Sequence, residues 1–217
     1  MNRIRLIALS CTILLVTAQS PNALSQTMKP TGEKGAKKVG RTMDNLQTAY
    51  YTESHESALY KEFAKKADEE GYGQLASMFR AIGRAEDIHA ATKAALIEQR
   101  GGTPEMNSEP LTVMTTKENL ALAMASESYE KDVMYDGFIE QARKEKDRAA
   151  EKVFRFAVAA EPTHQAMFKQ ALDDIEGYRG DNVQFLVCPG CGMTFRSTSK
   201  EACPTCSTPK ERFEQIR

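Results

Sequence analysis

Residues 85–89 read Ala85-Glu86-Asp87-Ile88-His89, and seventy-five residues later the chain reads Ala160-Glu161-Pro162-Thr163-His164. Helix positions three apart share a face, so each Glu-x-x-His presents a carboxylate oxygen and an imidazole nitrogen to one point. The same offset carries Tyr60, Phe63, Ala67, Phe79 and Arg80 onto Tyr135, Phe138, Ala142, Phe154 and Arg155. Further upstream the offset is 74, and Asn45, Leu46, Ala49, Glu53, Ser54 and Glu56 return as Asn119, Leu120, Ala123, Glu127, Ser128 and Glu130. The chain therefore repeats a helix pair, with one extra residue entering between Glu130 and Tyr135. A single insertion inside a helix is absorbed most simply as a π turn, a feature that gathers at functional sites.

Apolar spacing predicts a first helix from Thr42 to about Gly71 and a second from Gln74 to about Arg100, closed by Gly101-Gly102-Thr103-Pro104. Residues 101–114 form a long connection. Thr115 or Thr116 with Glu118 caps a third helix to about Lys146, and a fourth continues to about Tyr178 before Gly177 and Gly180 end it. Four helices with one longer crossover in the middle describe an all-α, ferritin-like four-helix bundle. The composition agrees, with 7% aromatics and no Trp in 217 residues. A formal net charge of −1 gives no electrostatic case for nucleic acid.

Arg3 and Arg5 precede an apolar run from Leu6 to about Ala18, and Ala23-Leu24-Ser25 offers small residues at a cleavage site. Residues 1–25 read as a secretory signal peptide of the general export route, which predicts a periplasmic or otherwise exported protein with no membrane association after cleavage. The run is too short for a comfortable membrane span. Removing it takes two arginines and no acids, leaving a mature charge of −3. Residues 26–41, with Pro30, Gly32, Gly35 and Gly40, read as a flexible linker. The bundle is expected over 42–180 and a small metal domain over 181–217.

Each repeat pairs a carboxylate on its first helix with Glu-x-x-His on its second: Glu53 with Glu86 and His89, then Glu127 with Glu161 and His164. This is the twofold donor set of a carboxylate-bridged di-iron or di-manganese centre. A lone Glu-x-x-His is weak evidence, because most glutamates are solvated; duplication in register argues against chance. Near the C-terminus, Cys188-Pro-Gly-Cys191 and Cys203-Pro-Thr-Cys206 stand eleven residues apart, the spacing of a four-thiolate site for one ion. Zinc in a ribbon, iron in a redox centre, and disulfides in an oxidising compartment all fit that spacing.

From Asn45 to the C-terminus the sequence resembles the rubrerythrins. The resemblance implies that Glu53, Glu86, Glu127, Glu161, His89 and His164 ligate two irons, and that Glu130 is an additional carboxylate. One iron would move between Glu130 and His89 with redox state. Tyr60 and Tyr135 match tyrosines that hydrogen-bond ligand carboxylates across the bundle. The resemblance also favours a rubredoxin-like β domain with iron on Cys188, Cys191, Cys203 and Cys206. It implies a peroxidase that reduces hydrogen peroxide to water, with electrons relayed through the tail from an unidentified donor, for which a periplasmic cytochrome is one candidate. Two rival readings are an iron-oxidising, iron-handling protein and a non-redox zinc-binding structural protein.

Two features depart from the family pattern. Glu56 occupies the counterpart of Glu130, either as an extra ligand, as in the more symmetric symerythrins, or as an exposed carboxylate. Pro162 deletes the backbone bond to Val158 and predicts a kink at the metal site. Finally, the short connection from Asp181 to Val187 predicts little reach from the tail to its own bundle centre. Together with the resemblance, this implies a head-to-tail homodimer.

Overall fold

The computed structural model describes residues 41–217 apart from 107, 108 and 199. The expected signal peptide at 1–25, and all of the expected linker except Arg41, lie outside the described residues. The fold is a ferritin-like bundle of four helical rods followed by a small antiparallel sheet. Helix α1 (Thr42–Glu69) and α2 (Gly73–Gln99) form an antiparallel hairpin, with Gly71 at φ +80° in its turn. That left-handed backbone is open to glycine at little cost.

A connection over residues 100–115 leads to α3 (Thr116–Tyr129). Thr115 caps it, its hydroxyl accepting from the Glu118 N–H while the Glu118 carboxylate accepts from the Thr115 N–H. The third rod continues through a π turn, Glu130–Met134, into α4 (Tyr135–Lys144). The π turn falls on the segment where the repeat gains a residue, and the Tyr135 N–H bonds back to the Glu130 carbonyl. Asp147 then caps α5 (Arg148–Asp173) through the Ala150 N–H. Helix α5 ends before the expected Tyr178, because Asp174 leaves the helical backbone (φ −145°, ψ 65°) and its side chain caps a short 3-10 turn, Ile175–Tyr178. It is helical through Pro162, so the proline is accommodated without ending the rod.

Repeat-related residues fill the core. At one end Tyr60, Phe63, Phe79 and Phe168 interlock, with Phe63 edge-on to Phe79 at 5.5 Å. At the other, Tyr135, Phe138 and Phe154 do the same. No described helix is long and apolar enough to cross a membrane.

Strands β1 (Phe185–Val187), β2 (Thr194–Phe195) and β3 (Glu214–Ile216) form a sheet ordered β2-β1-β3, with Val187 opposite both Thr194 and Glu214. Phe195 and Phe213 stack at 5.6 Å. The tail lies against its own bundle, which corrects the expectation of little reach. The connection does not start from the far end of the bundle. Gly180 accepts from the Gly73 N–H at the foot of α2, where a Cβ on residue 73 would strike the Gly180 carbonyl. The chain then climbs α2, with the Val183 N–H donating to Ser77 Oγ and Arg84 gripping both oxygens of Glu214 at 2.6 and 2.8 Å. From Gly73 to His89 the helix rises about 24 Å, and an extended chain from Gly180 to Cys191 can span about 36 Å.

Candidate metal centre

Four helices and the π turn aim six carboxylates and two imidazoles at the middle of the bundle. Glu53 and Glu56 come from α1, Glu86 and His89 from α2, Glu127 from α3, Glu130 from the π turn, and Glu161 and His164 from α5. All eight are buried, none more than 2% exposed. Their donor atoms gather into three overlapping clusters that share Glu86: Glu53, Glu86 and His89; Glu86, Glu127, Glu161 and His164; and Glu56, Glu86 and Glu130. Every ligand expected from the repeat therefore comes to one place. The reading of Glu56 as an exposed carboxylate is corrected, since it is buried and its Oε1 accepts from the Ser126 hydroxyl. Glu161 and His164 join the same cluster from either side of Pro162, so the proline does not pull its half of the site apart.

Both imidazoles have the same orientation. His89 Nδ1 lies 2.9 Å from Glu86 Oε2, and His164 Nδ1 lies 3.2 to 3.4 Å from oxygens of Glu86, Glu127 and Glu161. The opposite nitrogens face the tail. His89 Nε2 donates to the Cys191 carbonyl at 3.0 Å, which requires a proton on Nε2 and leaves the Nδ1 lone pair of the neutral ring directed toward the cluster. His164 Nε2 lies 3.2 Å from Thr194 Oγ1, whose hydroxyl is spent on the Gly192 carbonyl, so the imidazole donates here as well. Gly192, at φ +75°, lies where a Cβ would collide with the His89 ring.

Tyr60 donates to Glu127 Oε1 at 2.8 Å, and Tyr135 donates to Glu53 Oε1. Lys93, fully buried, also bonds Glu53 Oε1, at 2.6 Å. Burial raises the carboxyls of Glu53, Glu56, Glu130 and Glu161 above their ordinary values, and neighbouring carboxylates add to the rise at the last three. Burial also opposes ionisation of Glu86, but the two imidazoles outweigh it and hold that carboxyl at about 2. Burial likewise disfavours the His164 cation, yet Glu127 and Glu86 lift it to about 10.

The cluster fits divalent cations. Glu53 Oε2, Glu86 Oε1 and both oxygens of Glu130 and Glu161 are buried with no hydrogen-bond partner. Glu86 Oε1 is near His164 but lacks the alignment of a hydrogen bond. Orphaned anionic oxygens in a protein interior call for metal coordination or protonation.

In the tail the four thiols are free and converge. Cys188 Sγ is 3.4 Å from Cys206 Sγ, and Cys191 Sγ is 3.5 Å from Cys203 Sγ. Those separations are far beyond a disulfide bond and suit the edges of a tetrahedral four-thiolate site. Cys191 helps hold the Cys188 thiol down at about 5, while the same pairing pushes its own thiol up. Phe156 and Ala159 of α5 pack against this cysteine cluster.

Lys93, Ser126, Thr194 and the Arg84–Glu214 pair are parts of the site with no signal in the local sequence. A lysine inside a charged helix reads as solvated, and nothing local marks partners that lie 130 residues apart, as Arg84 and Glu214 do.

Comparison with known proteins agrees with this architecture. A family model described as rubrerythrin matches residues 44–172. Nigerythrin of Nitratidesulfovibrio vulgaris is 34% identical over 91% of this chain and 98% of its own. A rubrerythrin of Porphyromonas gingivalis is 31% identical over 83% of this chain and 92% of its own. The structure of fully reduced, all-ferrous nigerythrin superposes with a TM-score of 0.75 at 30% identity, covering 97% of this chain and all of that one. Symerythrin from Cyanophora paradoxa, at 18% identity and TM-score 0.59, shares the fold.

Proposed function

This chain is a member of the rubrerythrin family, and we propose that it is a peroxidase, reducing hydrogen peroxide to water at a di-iron centre in the bundle with electrons passed from iron in the tail. The observation that carries this reading is the juxtaposition of two metal-competent clusters through one hydrogen bond, from His89 Nε2 to the Cys191 carbonyl. When loaded, such a pair of ions supplies the two electrons that cleave the O–O bond and, with two protons, yield two waters.

The residues of this chain do the rest. Glu53, Glu86, Glu127, Glu161, His89 and His164 hold the ions, and the Tyr60 and Tyr135 hydroxyls orient Glu127 and Glu53. Glu130, with both oxygens unpartnered on a π turn, is the carboxylate free to change its ligation. Burial of the whole set excludes bulk water. The Cys191 carbonyl fixes the His89 tautomer and joins a tail ligand to a bundle ligand. The relay runs within one chain in this reading, supported by that contact. The head-to-tail dimer implied by the resemblance is tested by mixing chains that lack bundle ligands with chains that lack tail cysteines. In-chain relay predicts no recovered turnover.

Iron in both sites is the choice closest to the all-ferrous nigerythrin. The leader at residues 1–25 supports export, and so an electron donor outside the cytoplasm, for which a cytochrome of that compartment is suited; sequencing the N-terminus of protein from the envelope fraction tests cleavage. The activity is tested by peroxide consumption with an artificial donor. Many equivalents consumed per di-metal site are expected. Consumption that stops after one equivalent would assign the site to iron oxidation instead.

A further inference from the structure

Lys93 lies one turn beyond His89 on α2 and is fully buried. Its Nζ is 2.6 Å from Glu53 Oε1 and 5.5 Å from the centre of the Tyr135 ring. Lysine is almost never interior unless paired. Seventy-five residues on, the same repeat position holds Phe168, also fully buried, edge-on to Tyr60 at 5.6 Å. A phenyl ring thus fills this position in the other half, so packing alone does not call for an ammonium. The halves match in ligand type and tyrosine, yet differ here by one positive charge.

That charge stands among an excess of negative ones. With Glu56 buried in the cluster, six carboxylates outnumber the charge of two divalent cations, and Lys93 narrows the gap by one. The ammonium also shares Glu53 Oε1 with the Tyr135 hydroxyl, leaving only Oε2 of that carboxylate unpartnered.

We propose that Lys93 is a positioning residue and built-in third cation of the metal site, restricting Glu53 to coordination through Oε2 and making the two half-sites unequal. Its charge repels a metal ion at the Glu53–Glu86–His89 half more than at the Glu127–Glu161–His164 half, so the first half binds divalent metal more weakly. For the same Coulombic reason it disfavours trivalent iron and raises the reduction potential. The inference rests on the reading of the cluster as a di-metal site.

The test is titration of the metal-free full-length protein with Mn(II) by calorimetry, since manganese prefers the oxygen and nitrogen donors of the bundle to the thiolates of the tail. The wild type is expected to take up two ions with distinct affinities. Lys93→Gln should tighten the weaker one by about tenfold or more, and Lys93→Arg should keep the wild-type difference. Lys93→Phe, which places the repeat-related side chain, serves if the glutamine variant does not fold. In the iron-loaded protein, each tenfold gain in ferric over ferrous binding lowers the one-electron potential by about 59 mV. Two affinities and a potential unchanged by loss of the charge would overturn the role of Lys93 while leaving the di-metal reading intact. Failure of the wild type to bind Mn(II) or iron in the bundle would overturn both.

Discussion

In the first half of the bundle, α1 and α2 run unbroken, and a lysine sits against the candidate ligand Glu53. In the second half, a π turn interrupts the first rod at Glu130, a proline lies between Glu161 and His164 of the other, and a phenylalanine replaces the lysine. Ligand types and core aromatics are shared, whereas backbone and charge are not. Duplication thus supplies a symmetric cage, and a few unmatched residues decide how each side of it behaves. Glu130 opens the π turn that absorbs the extra residue. Glu56, its counterpart on an ordinary helix, is tied to Ser126.

Removing one ligand from each half should have the largest effect. Glu53→Ala and Glu161→Ala should each lower metal affinity or peroxide turnover by more than about a hundredfold, beyond the 10- to 100-fold typical of residues that only orient ligands. The metal-free proteins should change the other way. Losing a buried carboxylate with unpartnered oxygens removes a desolvation cost, so Glu161→Ala should raise the metal-free melting temperature. The wild type should show the same physics with pH. Glu56, Glu130 and Glu161 have folded-state values raised well above 4.5, so their contribution is complete below that value and is lost as pH rises through the raised ones. Metal-free protein should therefore lose thermal stability as pH increases above about 4.5, and saturating metal should flatten the profile.

The tyrosines should separate the halves more finely. Glu127 depends on Tyr60 for its Oε1 contact, whereas Glu53 Oε1 keeps Lys93 when Tyr135 is lost. Tyr60→Phe should weaken metal binding by about 10- to 100-fold, and Tyr135→Phe by less, as read by the same metal titration. Gly192→Ala should slow electron transfer from the tail and loosen metal at the His89 half of the bundle, because its Cβ would collide with the His89 ring; rapid-mixing absorbance of the reduced protein checks the first and metal titration the second. Arg84→Ala should have the smallest effect. The Arg84–Glu214 pair is about one-third exposed on each side, so its loss should cost about 0.2–1 kcal/mol in chemical denaturation.

The four helices and the candidate ligands are legible because their pattern repeats at a fixed offset, and the change of that offset locates the π turn at Glu130–Met134. Lys93 is not legible. Its burial comes from packing against Tyr135 and pairing with Glu53, forty residues away, and a helical lysine carries no local sign of either. The docking of the tail escapes the sequence for a geometric reason. The length of residues 181–187 suggests little reach, whereas the anchor at Gly73 and Gly180 and the climb along α2 determine where the cysteines arrive. Thr194 lies between the Cys188/Cys191 and Cys203/Cys206 pairs and shows its role only once His164 is placed beside it.

Whether the two metal sites work as one redox unit is decided by reducing the iron-loaded protein fully, without oxygen, mixing it rapidly with hydrogen peroxide, and following the visible absorption of the tail's iron–thiolate centre. Loss of peroxide followed by appearance of the ferric tetrathiolate spectrum is predicted, at a rate slowed by Gly192→Ala. A tail that stays reduced while the bundle oxidises, or peroxide that persists, would contradict that prediction.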